Sequence, residues 1–257
     1  MERYRILLTN DDGYSAPGID ALHRVLRTAH EVTLVAPKSE QSGVSHAFTF
    51  NRGLQMQQIA AEPWPVYAVA GTPSDCVKFG IVNILGRTVD CVISGINLGE
   101  NSGTSGYYSG TVAAAREGAF WGLPSIAFSL CAGGNDHLGA WAAYSLKLAE
   151  NLARASGEAA LRGVFFNVNY PACAPDEAKG VLITRQSMAY FDDNYREVQT
   201  EAAGLEYWLY GKKKNVEVED HYDSRAVENG YITITPLHFD ATALSAIHHL
   251  RYLEQGI

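Results

Sequence analysis

The sequence has few cysteines, little positive charge and no long apolar run. Its four cysteines, Cys76, Cys91, Cys131 and Cys173, stand far apart, which excludes the close spacing of zinc and dithiol redox motifs. Cys91 and Cys131 fall in apolar stretches, where a buried free thiol is the expected state, and free thiols fit a reducing cytoplasm. Met1 to Arg5 leads straight into a strand-like run without the apolar leader of a secretory signal. No apolar run approaches the ~20 residues a membrane helix needs, so no membrane partner is expected. A formal charge of -8 argues against a nucleic-acid binder, which would carry a basic face. The one short basic run, Lys212-Lys213-Lys214, is expected to be a solvated loop.

Several catalytic signatures are also missing. There is no G-x-S-x-G nucleophile elbow, no HExxH, no cysteine in an arginine-ended phosphate loop, and no Asp-x-Asp pair near the first strand. By elimination, a metal-bound water or hydroxide is the expected nucleophile rather than a side chain.

Strand-like and helix-like segments alternate through the first two thirds. Residues 5–9, 31–36, 66–70, 91–94, 125–129 and 164–169 read as strands. Residues 18–29, 73–85, 111–121 and 136–155 read as helices, the first with Ile19, Leu22, Val25, Leu26 and Ala29 on one face. Thr72-Pro73 has the form of an N-cap followed by proline in the first turn. Residues 47–59 are expected to be a hairpin turning near Asn51-Arg52-Gly53, and 95–110 a long loop. Apolar strands separated by helices imply an α/β fold, with a mostly parallel sheet covered on both faces. From about residue 180 the pattern changes to short strands at 181–185, 207–210 and 231–235, then a terminal helix over 241–254. The expected organisation is a catalytic core over 1–180 with a hairpin-and-helix extension over 181–257 that is not an independent domain.

Three polar clusters fall at strand ends, where parallel α/β sheets bind ligands. Asn10-Asp11-Asp12-Gly13 ends the first strand. A hairpin turn would explain Asp-Gly, but the next element is a helix, and a bound cation removes the repulsion between two adjacent carboxylates. Ser42-Gly43 follows the second strand and offers a neutral oxygen ligand. Ser94-Gly95-Ile96-Asn97 ends a third strand, and Asn97 supplies an amide oxygen. Asp11, Asp12, Ser42 and Asn97 are thus the candidate ligands of one divalent cation, Mg²⁺ or Mn²⁺. Asp11, Asp12 and Asn97 are also the candidate catalytic residues. Either aspartate could accept a proton from the attacking water.

Beyond Asn97 the glycine spacing matches neither the dinucleotide fingerprint nor the P-loop. Ser109-Gly110-Thr111 opens a helix of small residues, whose N-terminal amides suit a phosphate. Asn101 could hold a phosphate oxygen or the attacking water, and Asn10 and Gly43 flank the ligands on the substrate side. His238 reads as a hydrogen-bonded structural residue, and His248-His249 as the polar face of the terminal helix.

At these residues the chain resembles the SurE family, the stationary-phase survival protein E nucleotidases. The matching segments are Ile6 to Gly13 with Ala16-Pro17-Gly18-Ile19, Val35-Ala36-Pro37 with Gln41-Ser42-Gly43, and Gly71 to Val77. Ser94 to Asn101, Tyr108 to Gly118, Phe166 to Pro171 and Thr235 to His238 match as well. The resemblance implies a Rossmann-like three-layer core with a C-terminal extension used in oligomerisation, giving a homodimer or homotetramer. It also implies a metal-dependent phosphatase acting on nucleoside 5′-monophosphates, with 3′-monophosphates and short polyphosphate as further substrates. Asp11, Asp12, Ser42 and Asn97 fall on the family's metal positions. Asn101 and residues 109–111 fall where its phosphate lies. Two rival readings remain at this stage, a metal-dependent transferase of nucleotide sugars and a non-catalytic nucleotide-binding protein.

Overall fold

The structure, a computed structural model, describes residues 3–61, 63–200 and 204–255. In chain order the elements are β1 (Arg5–Thr9), α1 (Pro17–Leu26), β2 (Glu31–Pro37), β3 (Met56–Ala60), β4 (Val66–Val69), α2 (Pro73–Phe79), β5 (Cys91–Leu98), α3 (Ser105–Tyr108) and α4 (Gly110–Phe120). Then come β6 (Ser125–Leu130), α5 (Leu138–Ala155), β7 (Val164–Tyr170), β8 (Val181–Ile183), β9 (Tyr190–Thr200), β10 (Gly204–Lys214), α6 (Asp223–Glu228), β11 (Ile232–His238) and α7 (Leu244–Leu250).

One sheet runs in the order β3-β4-β2-β1-β5-β6-β7-β11-β8. The strands from β4 to β7 are parallel. β3 closes one edge antiparallel to β4, and β11 pairs antiparallel with β7. Parallel strands in the middle of a sheet are covered on both faces, and side chains alternate between those faces. Ile6, Leu8 and Ile93 therefore pack with Ile19 and Leu22 of α1 and Trp141 of α5, while Leu7 and Val92 pack with Val77 of α2 and Ala114 of α4. The result is the expected three-layer α/β core. Trp141 stacks on Tyr170 with centroids 4.4 Å apart, and its indole N–H donates to Cys173 O at 2.9 Å. All four cysteines are free. Among the described residues no helix is long and apolar enough to cross a membrane.

α2 starts as its cap chemistry requires. The Thr72 hydroxyl accepts from the Asp75 amide while the Asp75 carboxylate accepts from the Thr72 amide, a capping box with Pro73 in the first turn.

Four expectations change. Residues 47–53 form no strand, because side chains claim the segment: Ala47 O accepts from the Thr72 hydroxyl at 2.6 Å, and the Thr49 amide and hydroxyl donate to Asp75 at 2.8 and 2.7 Å. β3 pairs with β4 instead of folding back on them. The long loop after Ser94 is shorter than expected, since β5 resumes after an irregularity and continues to Leu98, and α3 occupies part of the rest. Lys212-Lys213-Lys214 is not a loop but the end of β10, paired with Asp192, Phe191 and Tyr190. The terminal helix begins at Leu244 because the Asp240 carboxylate takes the Thr242 amide, at 2.9 Å, and its hydroxyl into a local turn. α7 ends at Leu250, and a 3-10 turn follows over Arg251–Gln255.

Beyond residue 180, β8 and β11 belong to the main sheet, whereas β9 and β10 form a separate two-stranded hairpin.

Candidate active site

β1 lies between β2 and β5. The connections leaving β1 and β5 diverge to opposite sides there, which opens a crevice at the carboxyl ends of the strands. A cavity of about 960 Å³ occupies this position, and Asp11, Asp12, Ser42, Gly43, Asn97, Asn101 and Ser109 line it. The three clusters separated in sequence thus meet at one place.

Asp11 is 5% exposed. Burial raises its carboxyl above the ordinary range, and hydrogen bonds from the Thr111 hydroxyl and from the Thr111 and Gly110 amides pull it back. The start of α4 therefore holds Asp11. Gly110 allows this approach, since a Cβ at that position would lie 2.8 Å from Asp11 Cβ and 2.9 Å from Pro73 Cγ. Asp12 is pushed up to about 6, first by burial and then by the charges of Asp11 and Glu40. Its proton affinity measures how poorly the pocket tolerates so much uncompensated negative charge.

Ser42 donates to Glu40 Oε1 at 2.7 Å, leaving its oxygen lone pairs available. Asn97 donates its amide N–H to Gly99 O at 2.6 Å, leaving its carbonyl oxygen as a neutral donor. Its position depends on an irregularity in β5, where pairing with β6 skips between Ser94 and Asn97. Gly95 sits there at φ 127°, and a Cβ would come within 2.3 Å of Phe128 O, so only glycine fits. Asn101 is pinned on three sides. Its amide donates to Asn169 Oδ1 at 2.7 Å, its carbonyl accepts from Asn167 Nδ2 at 2.7 Å, and its side-chain N–H donates to Ser129 at 2.9 Å. The Ser109 oxygen caps α4 by accepting from the Val112 amide at 3.1 Å, which leaves its hydroxyl proton free to donate.

Three of the sequence candidates stand one layer back. Asn10 is fully buried, and its amide exchanges two hydrogen bonds with the Gly13 backbone, at 2.9 and 3.2 Å, fixing the turn after β1. Gly110 and Thr111 are buried behind Asp11. They support the cavity wall rather than face the cavity.

A family model described as "Survival protein SurE" matches residues 6–193. The chain belongs to the SurE family. The "5'-nucleotidase SurE 1" of Thermus thermophilus is 44% identical to it, over 98% of this chain and 99% of that one. The "5'-nucleotidase SurE" of Thermosipho melanesiensis is 39% identical, over 97% and 96%. The crystal structure of the SurE protein from Aquifex aeolicus superposes with a TM-score of 0.83 at 36% identity, covering 97% of this chain and 99% of that one.

Within this SurE crevice, several lining residues escaped the sequence reading. Glu40 adds a third carboxylate beside Asp12, and its place two residues before Ser42 was the available signal. Tyr108 precedes the α4 cap. Phe191, Asp193 and Leu209 come from the hairpin, and no local pattern announces that they return to the crevice. His238 is exposed, and its ring nitrogens meet Arg162 O at 3.2 Å and the Asp240 amide at 2.8 Å.

Proposed function

We infer that this SurE protein is a 5′-nucleotidase, a phosphomonoesterase that hydrolyses nucleoside 5′-monophosphates to nucleoside and phosphate. The observation that carries this is the convergence of Asp11, Asp12, Ser42 and Asn97 on one cavity with Asn101 and Ser109, in a chain whose relatives bear the 5′-nucleotidase name.

The donor set fits one hard divalent cation, Mg²⁺ or Mn²⁺. It consists of two carboxylates, a hydroxyl and an amide oxygen. The raised proton affinity of both aspartates is the strain that a cation would relieve. Such a cation supplies charge against the phosphate and a water of lowered pKa. Asp11, held by the start of α4, and Asp12 would anchor it, with Ser42 and Asn97 completing the set. Ser109 donates its free hydroxyl proton to a phosphate oxygen and so stabilises charge that grows in the transition state. Asn101, immobilised by Asn167, Asn169 and Ser129, orients a phosphate oxygen or the attacking water without losing side-chain entropy at the moment of reaction. Asn10, Gly110 and Thr111 keep the carboxylates in place.

The four free thiols support a cytoplasmic location. The exposed Tyr195, Tyr207 and Trp208 of the hairpin support assembly into a homodimer or homotetramer through the extension.

The test is phosphate release from a panel of nucleoside 5′- and 3′-monophosphates with Mg²⁺, Mn²⁺ or EDTA, with Asp11→Asn as control. Metal-dependent release, reduced by at least about a hundredfold in the variant with an unchanged circular dichroism spectrum, is expected. Release that survives both EDTA and Asp11→Asn would refute the metal assignment, and no release under any condition would refute the phosphatase.

A further inference from the structure

The cavity is far larger than a phosphate requires, and the hairpin builds its far wall. Side chains alternate along each strand of a hairpin, and directly paired residues share a face. Phe191 pairs with Lys213, Asp193 with Gly211, and Tyr195 with Leu209, so Phe191, Asp193, Tyr195, Leu209 and Lys213 lie on one face, with Tyr195 toward the exposed end of the hairpin. Lys213 shows which way that face points. Its ammonium meets Glu100 Oε1 at 3.0 Å and Ser102 Oγ at 2.6 Å, on the segment that follows β5 in the core. Phe191, Asp193 and Leu209 on this face line the same cavity as Asp11 and Asp12, and Tyr190 and Tyr210 of the opposite face border it as well.

The chemistry of this wall suits a nucleoside and not an anion. Phe191 is 45% exposed, Leu209 58% and Tyr108 66%, which leaves open apolar and aromatic surface within reach of a bound ligand. Base-on-ring stacking tolerates any base because each has a π face. Asp193 would repel a phosphate, but a carboxylate accepts hydrogen bonds from sugar hydroxyls, as acidic residues do toward ribose at other nucleotide sites. Gly211 makes room for it, since a Cβ there would lie 2.9 Å from Asp193 Oδ1.

We propose that the inner face of the β9–β10 hairpin is the nucleoside subsite of this crevice, with Phe191, Leu209 and Tyr108 contacting the base and Asp193 accepting from the ribose hydroxyls. The assignment rests on the phosphatase reading and says which end of the substrate each wall takes.

The experiment compares wild type, Phe191→Ala and Asp193→Asn on a purine nucleoside 5′-monophosphate, its 2′-deoxy counterpart and glycerol phosphate, which has neither base nor ring. Phe191→Ala is expected to raise KM for the nucleotide about tenfold, with kcat within about twofold and glycerol phosphate kinetics unchanged. Asp193→Asn is expected to shrink the preference for ribose over deoxyribose. A general structural role would slow all three substrates together. That result, or no change on any substrate, would overturn the subsite. Binding of the free purine nucleoside, followed by ligand-observed NMR, gives a readout independent of turnover: wild type should bind and Phe191→Ala should not. If wild type released no phosphate but bound the nucleoside through Phe191, the phosphatase reading would fall and the subsite would stand.

Discussion

β1 and the β9–β10 hairpin both border the crevice, yet they are held there by different means. Leu7 and Leu8 of β1 are fully buried, with a helix layer on each side. Leu205, Tyr207, Trp208 and Leu209 of β10 are each more than half exposed, and among the described residues β9 and β10 pair only with each other. A central strand gains stability from apolar burial on both faces. An isolated two-stranded hairpin is marginal by itself, so this one depends on ties such as Lys213 to Glu100. The crevice therefore has a rigid wall that carries the carboxylates and a lightly anchored wall that carries aromatic surface. Groups that must hold a charged constellation to within fractions of an ångström belong on the first. Contacts to a variable base tolerate the second.

The largest expected effect breaks this comparison most directly. Leu8→Ala should cost about 2–5 kcal/mol, because the cavity it leaves is enclosed. Leu209→Ala, the same change on the hairpin, should stay within about 0.5 kcal/mol. Urea denaturation of both variants checks the pair, and equal losses would erase the distinction. Gly110→Ala comes next. Its Cβ would press on Asp11 and Pro73, so a loss of about 1–3 kcal/mol is expected, together with a sharp fall in phosphate release, measured on protein shown to be folded.

Asp12 is raised to about 6 from an ordinary 3.8, so the folded state holds this proton more tightly than the unfolded chain does. The ionised carboxylate then destabilises the fold progressively as the pH rises from about 4 to about 6, and the full penalty persists above that. In metal-free protein the melting temperature of Asp12→Asn should therefore gain on wild type as the pH climbs through that window. Mg²⁺ should stabilise wild type more than the variant. A gap that narrows with rising pH would contradict the charge argument. The smallest effect is Lys213→Ala, which removes a half-buried tie worth about 1 kcal/mol or less. Hydrogen exchange should quicken over residues 190–214 and stay unchanged in β1, which would sharpen the contrast between the two walls.

The central strands, the capping box at Thr72 and the strand-end clusters were legible in the sequence because each depends on local chemistry: apolar runs, cap residues, and polar groups where a run stops. Less legible were features settled by distant partners. Residues 47–53 alternate well enough to suggest a strand, but Asp75 and Thr72 claim them. Ser94-Gly95-Ile96-Asn97 has the composition of a loop, yet pairing of Asn97 and Leu98 with Ser129 and Leu130 carries β5 onward. Asn10 is legible as a turn residue, and Gly110 and Thr111 as the opening of a helix whose amides suit an anion. Only the packing shows that Thr111 and the Gly110 amide face Asp11 and that Asn10 bonds the Gly13 backbone.

By itself the sequence determined the alternating α/β order, the family, and the oxygen-rich clusters that follow β1 and β2 and lie in the second half of β5, because apolar patterning and turn chemistry are written in neighbouring residues. The tertiary structure alone decided that the hairpin returns Phe191 to the crevice, that the start of α4 is spent on holding Asp11, and that burial and the charges of Asp11 and Glu40 push the Asp12 carboxyl up to about 6. These follow from burial and from charges brought together across long sequence separations, which no local window of the chain contains.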